Sequence, residues 1–398
     1  LGGNIMKKIG LLPRLIIGLV VGILLGMSGI EIVIQLLGTF NSIFGNFLGF
    51  VIPLIIVGFV AAGIADLGKD AGKLLGITVA IAYISTVISG TFAYFVDTTV
   101  FKQLHLEDAA EMIKAAEANA RSLSPLFTVD MPPIMGVMTA LLIAFTLGIG
   151  AAVINSEVLK KGMQEFQAIV EKVISNIVIP FLPLHICGIF ANMTYEGKTA
   201  AIMSVFVKVF IIIIILHAII ILFQYTLAGT LAGGNPIRLI RNMIPAYLTA
   251  IGTQSSAATI PVTLRQTKKN GVAEGVADFA IPLCATIHLS GSTITLTSCS
   301  LALMIIYGMP HGFITMFGFI LMLGITMVAA PGVPGGAVMA ALGLLGSMLG
   351  FNEELLSLMI ALYLTQDSFG TACNVTGDGA IAILVNKFAG NKLEVKEN

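Results

Sequence analysis

The chain has 398 residues and no formal net charge; 57% of its residues are hydrophobic and 11% are charged. Soluble domains carry about 25% charged residues, and the mean hydropathy here is +0.99, so the composition excludes an ordinary water-soluble domain. We expect the lipid bilayer as a partner, and no nucleic acid. The four cysteines lie in apolar segments without paired spacing, which predicts packing residues rather than a zinc site or disulfides.

Long apolar runs recur along the chain, for example over 15–25, 205–222 and 313–328. Runs of this length are typical of membrane-spanning helices. Because they continue to the C-terminus, the first one is not interpreted as a cleaved signal peptide. The sequence predicts an all-α polytopic membrane protein, with uninterrupted spans over 11–29, 34–65, 73–97, 131–154, 163–194 and 201–231.

Two apolar segments are interrupted by residues that break helices. The segment 242–265 has the polar centre Gly252-Thr-Gln-Ser-Ser-Ala-Ala-Thr259, and 312–350 contains Ala329-Ala-Pro-Gly-Val-Pro-Gly-Gly336. Paired interruptions of this kind are typical of transporters, where broken backbone lies at a substrate site. We therefore predict two re-entrant helical hairpins together with eight transmembrane helices, the last two at 273–306 and 353–390.

Charge placement supports this topology. If both hairpins return to the side from which they enter, most lysines and arginines fall on one face, while the other face holds few basic residues and nine acids. This asymmetry predicts cytoplasmic termini in the plasma membrane. The predicted cytoplasmic face holds Lys7, Lys8, Arg14, Lys69, Lys73, Lys160, Lys161, Arg238, Arg241, Arg265, Lys268, Lys269, Lys387 and Lys392. The predicted outer face holds Lys102, Lys114, Arg121, Lys198, Asp97, Glu107, Asp108, Glu111, Glu117, Asp130, Glu196, Glu353 and Glu354.

The last apolar segment carries a polar stripe. On a helix, Asp367, Thr371, Asn374 and Asp378 fall within about 60° of one another. Ionisable residues in membrane are costly and mark substrate or ion pathways, although a helix–helix hydrogen-bond seam is an alternative. Asparagine and aspartate oxygens suit a hard cation such as Na⁺, and a carboxylate suits a substrate ammonium group.

A third polar group of residues, Cys284-Ala-Thr-Ile-His-Leu-Ser-Gly-Ser-Thr293, interrupts the segment 273–306. Gly291 and its hydroxyl neighbours predict local unwinding that frees carbonyls for an ion. His288 titrates near neutrality when unperturbed; it is either a proton-binding group or a hydrogen-bonded core residue.

These motifs resemble those of the glutamate transporter homologue family, the dicarboxylate/amino acid:cation symporters. The resemblance rests on Ser-Ser-Ala-Ala-Thr-Ile-Pro-Val-Thr (255–263), the break at 284–293, Gly-Val-Pro-Gly (332–335) and Asp-x-x-x-Thr-x-x-Asn-Val-Thr-Gly-Asp (367–378). It implies an elevator-type homotrimer. The scaffold would comprise 6–72 (helices 1 and 2) and 131–194 (helices 4 and 5). The moving transport domain would comprise helix 3 (73–97), helix 6 (201–231), hairpin 1 (237–270), broken helix 7 (273–306), hairpin 2 (312–352) and helix 8 (353–390).

The resemblance also implies roles for individual residues. It implies that Asp367 binds a substrate amino group, Asn374 the α-carboxylate beside a sodium site, and Asp378 a sodium ion. Thr371 would lie beside the substrate. The hairpin serines Ser255 and Ser256 would contact the carboxylate, and Gly332, Val333, Pro334 and Gly335 would close over the substrate. The sodium ligands would be Thr286, His288, Ser290, Asn374 and Asp378, with Tyr83, Ser85 and Thr86 as candidates from the third helix.

The departures from the family pattern predict the substrate class. Acidic-substrate members have an arginine where this chain has Gly370, and some prokaryotic members have one where it has Gln254. Without either, a second substrate carboxylate would be buried unpaired, which is unfavourable. Ser290 replaces an aspartate of a deep sodium site and His288 a neighbouring asparagine, so we expect fewer sodium ions per substrate.

The sequence therefore predicts a symporter of a small neutral, zwitterionic amino acid, driven by Na⁺, with H⁺ as a second candidate coupling ion. One alternative is a symporter of an organic acid or dicarboxylate on the same fold, but Asp367 would repel that substrate. An intramembrane aspartyl protease needs its two aspartates on different helices, whereas Asp367 and Asp378 share one. An ion channel leaves the two hairpins unexplained.

Overall fold

A computed structural model describes residues 10–66, 72–119, 123–327, 330 and 334–389. The described chain is almost entirely α-helical and contains no strand, which confirms the all-α prediction. Its helices are α1 (Leu11–Ser28), α2 (Glu31–Asp66), α3 (Gly72–Gln103), α4 (Leu106–Asn119), α5 (Val137–Ile154), α6 (Glu157–Val173), α7 (Ile179–Tyr195), α8 (Thr199–Ala232), α9 (Pro236–Thr253), α10 (Ser256–Lys269), α11 (Glu274–Ile287), α12 (Ser290–Ile306), α13 (Phe313–Met327), α14 (Gly336–Leu349) and α15 (Glu353–Ala389).

Many of these helices suit a membrane. Among the described residues, seven helical segments are long and apolar enough to cross one, counting α6 with α7 and α11 with α12 as single spans. Helix α15 adds 37 residues, about 55 Å of helix, but the polar stripe lowers its hydropathy. Together these segments establish a multi-pass membrane protein.

The helices pack in two groups. In the first group α1 packs along α7, while α2 contacts α5, α6 and α7. In the second group α15 is central and is surrounded by α3, α8, α9, α10, α11 and α12. Helices α13 and α14 pair with each other and contact α3 and α2, respectively. The two groups touch where α14 meets α2 and where α15 meets α1 and α7.

Small residues allow the closest helix pair to form. Gly18, Gly22 and Gly26 recur every four residues on one face of α1 and are buried. A Cβ on Gly18 or Gly22 would collide with the carbonyl oxygen of Pro183 or Cys187 on α7. Close backbone approach at a stripe of small residues is a common way for membrane helices to associate, so this stripe fixes α1 against α7.

The three interrupted segments are each built from two shorter helices. Helices α9 and α10 pair across a turn at Gln254, which has a left-handed φ of 53°. Helices α11 and α12 are separated at His288 and Leu289. Helices α13 and α14 have 15 and 14 residues, about 21–23 Å each, which is shorter than the hydrocarbon core.

One sequence-based interpretation is wrong. Asp97 was assigned to the outer face at the end of a helix over 73–97, but α3 continues to Gln103. The Asp97 side chain is 0% exposed because α3 is buried there against α12. A further amphipathic helix, α4, follows where the sequence suggested only a polar connection. The four cysteines are buried, in agreement with the expectation that they are packing residues.

Candidate functional site

The candidate site lies where the three interruptions meet the middle of α15. The Gly335 amide, at the N-terminus of α14, donates to Asp367 Oδ2 at 2.7 Å. The Gly291 amide, at the N-terminus of α12, donates to Asn374 Oδ1 at 2.8 Å. At the turn before α10, Gln254 Nε2 donates to Ser368 Oγ at 2.7 Å. Each break is thus hydrogen-bonded to α15, and three helix N-termini converge on one region.

Asp367 is the charged centre of this region. Its side chain is 5% exposed, and the hydroxyls of Tyr363 and Thr371 lie beside its carboxylate together with the Gly335 amide. The positive end of the α14 dipole favours an anion at this position. Among the described residues the carboxylate forms no salt bridge, so its charge is available to a cationic ligand.

A small cavity lies beside Asp367. Its volume is ≈ 20 Å³, enough for about one water molecule. Its described lining residues contain one acid and neither lysine nor arginine; they are Gln254, Ser256, Ala285, Leu289, Ser292, Ala330, Ala337, Tyr363, Asp367, Thr371 and Asn374. A larger ligand would therefore require the surrounding helices to separate, and the charge that it meets is negative.

The predicted hairpin residues differ in their positions. Ser256 is buried and lines the cavity, whereas the Ser255 hydroxyl caps α10 by accepting the Ala258 amide at 3.2 Å. Gly335 contacts Asp367, and Pro334 lies directly before it in the turn. Gly332 and Val333 lie outside the described residues.

Gly370 lies against α12 rather than in the cavity wall. A Cβ at this position would have Ser292 N and Thr295 Oγ1 as its nearest neighbours, both at 3.7 Å. The facing glycine on α12 has less space, because a Cβ on Gly291 would approach the Gly370 carbonyl oxygen to 2.5 Å. The two glycines therefore allow α12 and α15 to approach closely behind the cavity.

Asn374 is held within the break between α11 and α12. Its Oδ1 accepts the amides of Gly291 and Ser292 at 2.8 and 3.2 Å, and its Nδ2 donates to Ser292 Oγ at 2.9 Å. Tyr363 donates to the same hydroxyl at 2.9 Å. Asn374 thereby caps α12 while it lines the cavity.

A second polar cluster lies deeper, around Asp378. His288 Nδ1 is 2.9 Å from Asp378 Oδ1, and both side chains are buried. The other ring nitrogen, Nε2, is 3.1 Å from Ser85 Oγ on α3. Gln224 of α8 completes the cluster by donating from Nε2 to Ser85 Oγ at 3.0 Å.

This deep cluster contains buried oxygen atoms without hydrogen-bond partners. They are Asp378 Oδ2 and Gln224 Oε1; Ser290 Oγ, two residues after His288 and beside Cys373, also has none. Buried polar atoms are nearly always satisfied, and hard oxygen ligands of this kind suit a small cation or water. The donor set therefore fits a cation, although His288 already contacts the carboxylate that the sequence assigned to Na⁺.

The remaining candidate ion ligands are not all brought to this cluster. The Thr286 side chain is exposed and donates to Leu283 O of its own helix at 2.8 Å. Of the third-helix candidates, Ser85 joins the cluster, Thr86 bonds the Ala82 carbonyl of its own helix, and Tyr83 donates to Leu321 O.

Sequence reasoning missed three buried polar residues in this region. Tyr363 lies one turn before Asp367 and faces the cavity. His217 and Gln224 lie two turns apart on α8; His217 Nε2 is 3.0 Å from Gly291 O. A signal was present, because histidine and glutamine seven residues apart form a polar stripe in an otherwise apolar helix.

Comparison with known proteins agrees with a transporter of this architecture. A family model described as the sodium:dicarboxylate symporter family matches residues 11–388, and the chain belongs to that family. The family is one of secondary transporters, so this is a membrane transport protein and not an enzyme.

Two kinds of relative match nearly the whole chain. The proton/sodium-glutamate symport protein of Bacillus caldotenax is 26% identical over 424 residues, which cover 98% of this chain and 97% of the relative. The serine/threonine transporter SstT of Acinetobacter baumannii (strain AYE) is 25% identical over 389 residues, covering 94% and 95%. The relatives thus include transporters named for an acidic amino acid and transporters named for neutral ones.

Proposed function

We propose that this protein is a symporter of a small neutral, zwitterionic amino acid. The observation that carries the proposal is the charge of the cavity: its described lining residues include the Asp367 carboxylate and no cationic side chain. A carboxylate of this kind pairs with a substrate ammonium group. The relatives' names support an amino acid as the substrate.

The α-carboxylate of the substrate requires its own partners, and the helix N-termini provide them. The N-terminus of α10 begins at Ser256, which lines the cavity. Free amides and the positive helix end attract anions at such a position. Asn374 and Thr371 also line the cavity, so the ammonium and carboxylate groups of a zwitterion would each meet a complementary partner.

A second substrate carboxylate would have no cationic partner. Gln254 donates its amide to Ser368, and Gly370 provides no side chain, so neither position supplies the bidentate pairing that an arginine gives. Burying an unpaired charge costs several kcal/mol. The cavity chemistry therefore favours the neutral amino acids named for the SstT relatives over glutamate, and it disfavours a dicarboxylate.

The deep cluster around Asp378 is the proposed cation site. Na⁺ would use Asp378, Ser290 and the Asn374 region, with Ser85 and Gln224 contributing from neighbouring helices. His288 contacts Asp378 at 2.9 Å, which makes H⁺ the second candidate coupling ion. Because this cluster has one carboxylate and one imidazole, we expect fewer sodium ions per substrate than in relatives that carry the complete sodium-site motif.

The packing suggests how transport occurs. The group built from α1, α2, α5, α6 and α7 would form a static scaffold in a homotrimer, and the group around α15 would cross the membrane as an elevator. Because the cavity holds about one water molecule, the turn that contains Pro334 and Gly335 must move to admit an amino acid. Both termini would be cytoplasmic in the plasma membrane, in line with the distribution of basic residues.

Uptake into proteoliposomes tests this proposal. Purified protein should accumulate labelled serine, threonine or alanine when an inward Na⁺ gradient is imposed, and the accumulation should fall when the gradient is collapsed. Labelled aspartate and glutamate should not accumulate. Vesicles without protein supply the background. Uptake of glutamate in preference to every neutral amino acid would contradict the proposed substrate class.

A further inference from the structure

Asp97 on α3 is a buried carboxylate that belongs to neither the proposed substrate site nor the proposed cation site. Its side chain is 0% exposed, and neither carboxylate oxygen has a hydrogen-bond partner. Burying an unpaired carboxylate as an ion is very costly. This position therefore requires a bound cation or a proton.

The neighbours of Asp97 are polar but uncharged. The Ser298 hydroxyl of α12 lies next to the carboxylate, and it forms no well-aligned hydrogen bond in the structure. Cys299, the next residue on α12, is also close enough to Asp97 to feel its charge. Gln366 of α15 donates from Nε2 to Cys299 Sγ at 3.6 Å, while its Oε1 is unpartnered. Gln366 immediately precedes Asp367 on α15, so this group of residues lies on the same helices as the substrate cavity.

The charged and titratable groups of the helices that pack against α3 are engaged elsewhere or exposed. Among the described residues, none of them forms a salt bridge with Asp97. On α8, Lys208 donates to Leu104 O and His217 contacts Gly291 O. On α11, Glu274 and Asp278 pair with Lys268, and on α4 the side chains of Glu107, Asp108, Glu111 and Lys114 are exposed. On α15, Asp367 accepts the Gly335 amide and Asp378 contacts His288, while α13 carries no ionisable side chain.

We propose that Asp97 is a proton-binding site, separate from the cation site at Asp378, and that its proton crosses the membrane with the loaded transport domain. A proton needs no ligand shell, whereas a hard cation takes about six oxygen ligands. The protonated carboxyl group can donate to Ser298 Oγ and so satisfies two orphaned groups with one hydrogen bond. The reaction is a simple protonation: a proton from the aqueous phase binds the carboxylate and leaves again on the other side.

This inference rests on the proposed function, because it assigns the coupled H⁺ to a residue in the transport domain. Helix α3 packs against α12 and α15, so Asp97 would move with Asp367 and the substrate. Protonation would remove the one unpaired charge on that seam before the domain crosses the hydrocarbon region.

Substrate-driven proton entry in proteoliposomes is the main test. Vesicles would contain a trapped pH-sensitive dye, and labelled serine uptake would be measured in the same preparation. Asp97→Asn keeps the shape of the side chain and removes the titratable group. Asp108→Asn is the matched control, because Asp108 is an exposed aspartate on α4. The wild type and Asp108→Asn should acidify the lumen in proportion to serine uptake, whereas Asp97→Asn should take up serine with acidification per serine reduced to background.

Infrared difference spectroscopy tests the site without transport. The wild type should show the C=O stretch of a protonated carboxylic acid that titrates with pH and is absent from Asp97→Asn. If Asp97→Asn is inactive in transport, the infrared band still shows whether Asp97 binds a proton. If the wild type transports no amino acid, the band tests the proton site separately from the proposed symport function. Acidification per serine that is equal in Asp97→Asn and the wild type, a wild type that moves no protons, or the absence of the infrared band would each overturn the inference.

Discussion

Replacing Asp367 by asparagine removes the charge that we assign to the substrate ammonium group. The side chain keeps its size, and the asparagine oxygen can still accept the Gly335 amide that now bonds Asp367 Oδ2 at 2.7 Å. The connection between α14 and α15 should therefore survive. What is lost is a charge-assisted contact worth about 1.5–3 kcal/mol, which corresponds to a roughly 10- to 140-fold loss of affinity.

Two measurements check this prediction. Binding of labelled serine to purified protein gives the change in affinity, and size-exclusion chromatography with thermal unfolding shows that the variant is folded. The control is Asp108→Asn, which removes an exposed carboxylate that is not part of the cavity lining and should leave binding unchanged. Because the cavity is nearly closed, the loss is expected at the upper end of the range. Unchanged serine affinity in a folded Asp367→Asn variant would refute the assignment.

Three further predictions concern the surroundings of the cavity. Asp378→Asn should abolish the dependence of uptake on Na⁺, because this carboxylate is the one charged oxygen ligand in the proposed cation site; retained Na⁺ stimulation would contradict that role. Gly370→Arg should reduce serine uptake and permit binding of aspartate, because the guanidinium would extend past cavity-lining Ser292 and offer a bidentate partner. Competition assays with serine and aspartate would measure this change in selectivity, and unchanged selectivity would contradict it. Gly291→Ala should lower the free energy of unfolding by about 1–3 kcal/mol through overpacking, since its Cβ would approach the Gly370 carbonyl oxygen to 2.5 Å. Gly275→Ala, where a Cβ meets nothing within 4 Å, is the control, and equal stability of both variants in denaturant titrations would argue against this packing.

The sequence predicted the polar stripe well because it is a local pattern. Asp367, Thr371 and Asn374 share one face of α15 and line one cavity, as the helical period requires. The interruptions were also predictable, since glycine, proline and serine mark helix ends. The structure places the first break at Gln254 and the second at His288, both inside the predicted polar segments.

Contacts between distant segments could not be read from local patterns. The pairing of His288 with Asp378 depends on the register of α11 against α15, and the approach of Ser85 and Gln224 depends on how α3 and α8 pack. No periodicity encodes these registers.

The error at Asp97 has a related cause. A charged residue at the end of an apolar run is ordinarily an interfacial residue, and the sequence after it contains no helix-breaking residue that would have placed the end of α3 correctly. Helix α3 continues to Gln103, and the unpaired carboxylate becomes visible only once α12 is packed against it. The most informative acid was therefore the one that local reasoning treated as ordinary.

Competition for a single binding site tests the central claim most directly. Purified protein would be saturated with labelled serine in the presence of Na⁺, and unlabelled amino acids of graded charge would be added. The account predicts displacement by threonine or alanine, none by aspartate or glutamate at comparable concentration, and loss of serine binding in Asp367→Asn. Displacement by glutamate at lower concentrations than by any neutral amino acid would show that the cavity accommodates a second carboxylate, and it would contradict the account.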